Sequence, residues 1–195
     1  MRGFVLALLL LPALAHGGAQ VYEPIADSVR HRLSAMVADR AAPSMYFREP
    51  ADGQRWLAEM DQRLERRIPD RQQRLELLRA VQYEATRARL DPQLVLGVIE
   101  VESAFRKYAV SRAGARGYMQ VMPFWTRVIG DGDAARLFHM QTNLRFGCVI
   151  LRHYLTIERG DLFLALGRYN GSRGRAEYPN AVFAARQQWL MPGQR

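Results

Sequence analysis

Asp91-Pro92-Gln93-Leu94-Val95-Leu96-Gly97-Val98-Ile99-Glu100-Val101-Glu102 reads as a helix that must lie inside the molecule. Asp91 is a strong N-cap, and Pro92 suits the first helical position, where its missing N–H costs nothing. Leu94, Val95, Leu96, Val98, Ile99 and Val101 then leave it apolar on most sides. A helix hydrophobic nearly all round belongs in a core. Two acids near its end therefore need a reason. At about 100° per residue, Glu100 and Glu102 point roughly 200° apart and do not share one site. Glu102 shares a face with Val95, Val98 and Ile99. A carboxyl there is desolvated on its helix side, which disfavours ionisation and raises its pKa. A carboxylic acid kept protonated near neutral pH is what a general acid requires. From this helix alone, the ordinary alternative of two surface glutamates stays open.

The flanking sequence predicts more helices and no sheet. No segment alternates apolar and polar residues for long. Val29, Leu33, Met36 and Val37 repeat at helical spacing from Asp27 towards Pro43, and a loop is expected through Pro50 and Gly53. Trp56, Met60, Leu64 and Ile68 step by four, with Asp61, Arg63, Glu65, Arg66 and Arg67 mostly on the wet face. Pro69-Asp70 starts the next helix, whose arginines read as a solvated surface. Pro123 opens another, and further helices fit 143–156, 161–169 and 180–190. The fold class is all-α.

The 195 residues allow one compact domain, or one domain with a helical extension. Hydrophobic residues at 49% and charged residues at 24% suit a folded chain rather than a disordered one. A net charge of +9 favours an anionic partner. Residues 1–19 have the order of a secretory leader: Arg2, an apolar run over 4–11, then small residues with cleavage expected after Ala15 or Ala19. The run is too short to span a bilayer, which needs about 20 apolar residues. The expectation is an exported protein with no integral span once the leader is removed, and export argues against a nucleic-acid partner.

Beyond Glu102 comes Ser103-Ala104-Phe105, then Ala109-Val110-Ser111, then Gly114-Ala115-Arg116-Gly117-Tyr118-Met119-Gln120-Val121-Met122-Pro123. Glycines let the backbone turn tightly close to a ligand. Ser111 and Gln120 carry compact donors and acceptors suited to hydroxyl and N-acetyl groups. Such a loop facing a buried acid suggests a polysaccharide cleft.

These residues resemble the soluble lytic transglycosylase family, peptidoglycan-cleaving enzymes with a goose-lysozyme-like helical fold. The family pattern E-S-x-F, A-x-S-x-x-G-A-x-G-L-M-Q-x-M-P matches from Glu102 to Pro123 in spacing. Asn143-Leu144 with Gly147, then Tyr169-Asn170 and Tyr178, follow in the family's order. The resemblance covers about residues 80–192. It implies a catalytic domain over 80–195, with 20–79 as a helical N-terminal extension of unassigned role. It also implies a periplasmic lytic transglycosylase that cuts the β-1,4 bond between N-acetylmuramic acid and N-acetylglucosamine and leaves 1,6-anhydro ends. Glu102 would be the single catalytic acid/base. Ser111, Gln120 and Met122 would line the sugar cleft with Asn170 and Tyr178, and Tyr169 would stand close to the scissile bond. Glycan strands are the expected partner, with other cell-envelope or secretion-machinery proteins as further candidates; no cofactor or metal is implied. Two alternatives stay open. A lysozyme-type muramidase needs a second carboxylate to activate water, and a wall-binding or secretion-assembly module needs none. Three positions depart from the pattern: Tyr118 for leucine, Gly167-Arg168 before Tyr169, and Gly171-Ser172 after Asn170.

Other motifs carry less. Asp131-Gly132-Asp133 lacks the glutamate that a calcium loop needs at its twelfth position, where Thr142 stands. His31, His139 and His153 have no zinc spacing. Cys148, the single cysteine, forbids an intrachain disulfide and reads as a small buried apolar residue.

Overall fold

The computed structural model describes residues 20–38 and 44–193. The leader expected over 1–19 lies outside the described residues. The helices are α1 (Asp27–Ala38), α2 (Pro50–Leu64), α3 (Arg71–Arg87), α4 (Pro92–Ser103), α5 (Phe124–Ile129), α6 (Met140–Ile157), α7 (Leu162–Asn170) and α8 (Glu177–Trp189). A 3₁₀ turn, Ala134–Phe138, precedes α6. Among the described residues the only β pairing is two isolated bridges, Val110 with Arg116 and Arg116 with Val121. The chain is all-α, as its periodicity predicts. No helix among the described residues is long and apolar enough to cross a membrane.

Three helix starts follow from aspartates. Asp70 accepts the N–H groups of Gln72 (2.8 Å) and Gln73 (3.3 Å), Asp91 that of Gln93 (2.9 Å), and Asp161 that of Leu164 (3.0 Å). Each carboxylate satisfies a donor that the first turn leaves without an intrahelical partner. Several boundaries differ from the sequence reading, among them α6, which begins at Met140 rather than 143. Pro50 and Gly53 open α2 instead of forming a loop. Proline fits the first turn, and a Cβ on Gly53 would come within 2.9 Å of the Phe47 ring. Similarly α8 begins at Glu177, because Pro179 sits in a first turn that needs no N–H from it.

Helix α4 packs most extensively on α8, and Gly97 makes this possible. A Cβ there would lie 2.9 Å from Arg186 N and 3.1 Å from Val182 O. Helices α3 and α6 cover other sides of α4 and α7. Leu33 of α1 and Trp56, Met60 and Leu64 of α2 join the same apolar core as Val95, Ile99, Leu144, Leu166 and Val182. The segment before residue 79 is therefore built onto the rest through shared core.

The arginines correct the picture of a purely solvated surface. Arg74 is buried at 4% exposure; its Nε donates to Asp61 (2.6 Å) and its Nη1 to the carbonyls of Ile68 and Pro69. The Arg74 guanidinium holds the Asp61 carboxyl below its usual range. Arg63 reaches the carbonyls of Gln188 and Leu190, tying α2 to the end of α8. Arg145 and Glu84 form a buried pair (2.8 Å) between α6 and α3. With few lysines available, arginine forks make these inter-helix bridges because they bond several acceptors at once.

Candidate active site

Glu102 occupies the last turn of α4 and is 2% exposed. The chain reverses immediately after it, with Ala104 and Phe105 both in the left-handed region (φ 49° and 62°). The reversal brings the loop of residues 109–122 back over the helix end. Ser103 Oγ donates to the Tyr118 carbonyl (2.8 Å), with the Ile99 carbonyl also in reach (3.0 Å). The residue beside the acid thus pins the loop to the acid's own helix.

Asn143, in the first turn of α6, holds the loop from below. Its Oδ1 accepts Met119 N–H (2.8 Å), and its Nδ2 donates to the carbonyls of Arg116 and Leu137 (2.8 Å each). Gly117 has φ 75°, and a Cβ on it would stand 2.4 Å from Asn143 Nδ2. One turn along α6, Gly147 leaves room for Met119, whose sulfur would be 2.4 Å from an added Cβ. The spacing of Asn143 and Gly147 thus serves to seat the loop.

Tyr178, in the first turn of α8, donates its hydroxyl to Glu102 Oε1 at 2.6 Å. Tyr169, near the end of α7, is fully buried and donates to the Met119 carbonyl at 2.7 Å. Burial first, and the nearby Glu102 charge second, push both phenols well above their usual range. Both remain donors at any ordinary pH. Four elements therefore frame this carboxyl: α4 carries it, Tyr178 of α8 bonds it, and α7 is tied to the loop beside it.

The other expected site residues lie in or beside the same loop. Gln120 is 1% exposed, and its Nε2 donates to the carbonyls of Ala109 (3.1 Å) and Gly117 (2.9 Å). Its amide nitrogen braces the loop. Ser111 Oγ accepts Ala115 N–H (3.1 Å) at the loop's outer turn. Met122 is half-buried, with its N–H on Gln20 Oε1 (3.3 Å), and Asn170 closes α7, also half-buried. Tyr118 packs inward, its hydroxyl pushed up to about 12 by burial. That departure from the family pattern is a matter of packing.

Glu100, Asp131 and Asp133 are committed elsewhere. Glu100 pairs with Arg67 and accepts from Trp189 Nε1 (2.7 Å), on the opposite side of α4 as the helical-face argument expects. Asp131 pairs with Arg136 and accepts Asp133 N–H, while Asp133 accepts Ala135 N–H (2.9 Å) at the start of the 3₁₀ turn. Among the described residues, no three His, Cys, Asp or Glu side chains gather where a metal ion could sit. Cys148 is buried, and burial pushes its thiol well up.

This constellation of acid, loop clamp and two tyrosines coincides with a known sequence family, Transglycosylase SLT domain, which matches residues 79–191. The chain belongs to the transglycosylase SLT family. Curated relatives include membrane-bound lytic murein transglycosylase C of Actinobacillus pleuropneumoniae serotype 5b (strain L20), 41% identical over 84 residues, covering 39% of this chain and 23% of that protein. The protein of the same name from Glaesserella parasuis serovar 5 is 52% identical over 94 residues, covering 45% and 23%. A transglycosylase of Enterobacteria phage PRD1 is 35% identical over 89 residues, covering 46% and 32%. The chain thus matches about a quarter to a third of these relatives' length. An inactive mutant of lytic transglycosylase Slt from Pseudomonas aeruginosa aligns with TM-score 0.45 at 24% identity, over 56% of this chain and 21% of that one.

Sequence reasoning assigned no role to several residues that shape this SLT site. Ser103 and Asn143 were visible only as letters of a motif. Gln20 and the Glu23–Arg168 pair lie far apart in sequence with no periodicity to connect them. No single-sequence signal could have found them.

Proposed function

We propose that this chain is an exported lytic transglycosylase acting on peptidoglycan, with Glu102 as its single acid/base. The carrying observation is the setting of that carboxyl: it is 2% exposed, Tyr178 holds its Oε1, and Glu100, Asp131 and Asp133 are tied to arginines or backbone donors elsewhere. A glycosidase with two carboxylates places the second about 5–9.5 Å from the first, as nucleophile or as base for water. With Glu100, Asp131 and Asp133 so engaged, this reading takes the incoming nucleophile from the substrate. Glu102 gives its proton to the glycosidic oxygen between N-acetylmuramic acid and N-acetylglucosamine, and that bond breaks. The muramic C6 hydroxyl then bonds to C1, and the Glu102 carboxylate takes the hydroxyl proton, returning to its starting state. Tyr178 holds Oε1 in place through both steps. Burial supports the first step, since a carboxyl withdrawn from water keeps its proton more readily. The surplus of arginine suits an anionic wall polymer, and the leader expected over residues 1–19 would deliver the protein to the periplasm.

Mass spectrometry of digested peptidoglycan tests this. The expected fragments end in 1,6-anhydro-muramic acid, one water lighter than reducing ends. Predominantly reducing ends would mean a hydrolase, and no solubilised fragments at all would mean a non-catalytic module.

Tyr178→Phe gives a second check. It removes one hydrogen bond to a charged acceptor, worth about 1.5–3 kcal/mol, so release of fragments should slow by roughly ten- to a hundred-fold. A carboxylate deprived of a donor also holds its proton to higher pH. The alkaline limb of the pH–rate profile should therefore move upward in this variant, which a mere packing defect would not cause.

A further inference from the structure

Residues 20–26, before α1, form neither helix nor strand, yet three of their side chains attach to the frame of the Glu102 site. Gln20 is 3% exposed; its Oε1 accepts the Met122 N–H at 3.3 Å, and its carboxamide lies beside the Tyr169 hydroxyl. Tyr22 sets its ring edge-on to Phe124, with centroids 5.8 Å apart. Both oxygens of Glu23 lie 2.7 Å from Arg168 Nη1. Arg168 is one of the positions at which this chain departs from the family pattern. Its other partner, Glu158, is held at about 2 by Arg173 and Arg168 together, so the arginine stays anchored on α7.

The Gln20 side chain is a primary carboxamide, a carbonyl and N–H on one carbon. The acetamido arm of an N-acetyl sugar carries the same group. We propose that segment 20–25 is an intramolecular occupant of the glycan cleft. The Gln20 carboxamide takes the place of a sugar acetamido group on the Met122 N–H, and glycan displaces the segment on binding. This rests on the peptidoglycan reading above.

The attachments are of a kind that a ligand can replace. The bond to Met122 is at the long end of the normal range. Gln20 Nε2 is buried and makes only a loose approach to the Tyr169 hydroxyl, short of a well-formed hydrogen bond, and a poorly satisfied buried donor is costly. Glu23 is about half exposed, so water and salt screen its pair with Arg168. A sugar acetamido group offers the Met122 N–H an equivalent acceptor without stranding that amide. Where only a fraction of molecules has the cleft free, apparent affinity falls by that fraction.

The test combines Gln20→Ala with Glu23→Ala and measures binding of an N-acetylglucosamine trimer in a Glu102→Gln background, which leaves the sugar uncut. Loosening the segment is expected to tighten binding about five-fold or more, and to speed fragment release when Glu102 is intact. Hydrogen exchange provides the second readout: amides of residues 21–26 should lose protection when the trimer saturates the otherwise unmodified Glu102→Gln protein. Equal or weaker affinity in the loosened variant, or unchanged protection on saturation, would overturn the occupancy while the peptidoglycan reading stands on fragment release. If neither form bound the trimer nor released fragments, both would fall.

Discussion

Glu102→Gln is expected to lower the release of soluble peptidoglycan fragments by roughly 10²–10⁴, the range attributable to a positioned general acid. Glutamine matches glutamate in shape, and its carbonyl can still accept the Tyr178 hydroxyl, so the fold should persist with an unchanged circular dichroism spectrum. What disappears is the transferable proton, in both the bond-breaking and the ring-closing step. Glu100→Gln is the internal control. That residue faces Arg67 and Trp189 on the other side of α4, so activity should stay within a few-fold below its melting temperature. Tyr169→Phe should fall between the two, because its hydroxyl supports the Met119 carbonyl at one remove from the acid. A large loss at Glu100 with little at Glu102 would exchange the two faces of the helix and reject the assignment.

Arg145→Met should have the largest effect on stability. The guanidinium bonds Glu84 Oε1 through Nε (3.0 Å) and Nη2 (2.8 Å), and both side chains are almost wholly buried. Glu84 then retains Arg87 at 3.1 Å, itself partly exposed, and Gln141 at 3.5 Å. Removing one partner of a buried pair typically costs about 3–5 kcal/mol, because the other charge is left in low dielectric. For a chain of this size that lowers the melting temperature by on the order of 10 °C. Adding Glu84→Leu to Arg145→Met should recover much of the loss, since apolar replacement of both partners is often nearly neutral. Calorimetry of the parent, both single variants and the double variant closes the cycle. Independent, additive losses at the two positions would show that packing, not the pair, is at stake.

The apolar run of α4 with its Asp-Pro start made the central helix and its acid legible from sequence. Both depend on neighbours within a few residues, which is where single-sequence reasoning is strongest. The all-α class followed for the same reason. Pro50, Gly53 and Pro179 misled, because a turn-former's meaning depends on whether it meets a first turn or a packed ring such as Phe47. The arginines misled differently. Whether Arg74 faces water or Asp61 is decided by the crossing of α2 and α3, which charge patterning along one helix does not encode. At the site, Gln120 has the chemistry of a sugar contact, yet its positive φ turns the amide nitrogen onto Ala109 and Gly117. Tyr169 likewise spends its hydroxyl on the loop. Residue type specified what bonds were possible, and backbone geometry decided who received them.

The backbone-to-backbone seam at Gly97 has a consequence for how a polymer enters. Helices α4 and α8 carry the acid and the tyrosine that steadies it, and no side chain lies between them there to act as a bearing. Backbone contact at that seam leaves little room for the two to slip past one another. The segment ahead of α1 is held more lightly, by the 3.3 Å bond of Gln20 to the Met122 N–H and by the Glu23–Arg168 pair, in which Glu23 is about half exposed. On the proposed function, a glycan strand is expected to shift that segment while the Gly97 seam keeps the Glu102 carboxyl in place.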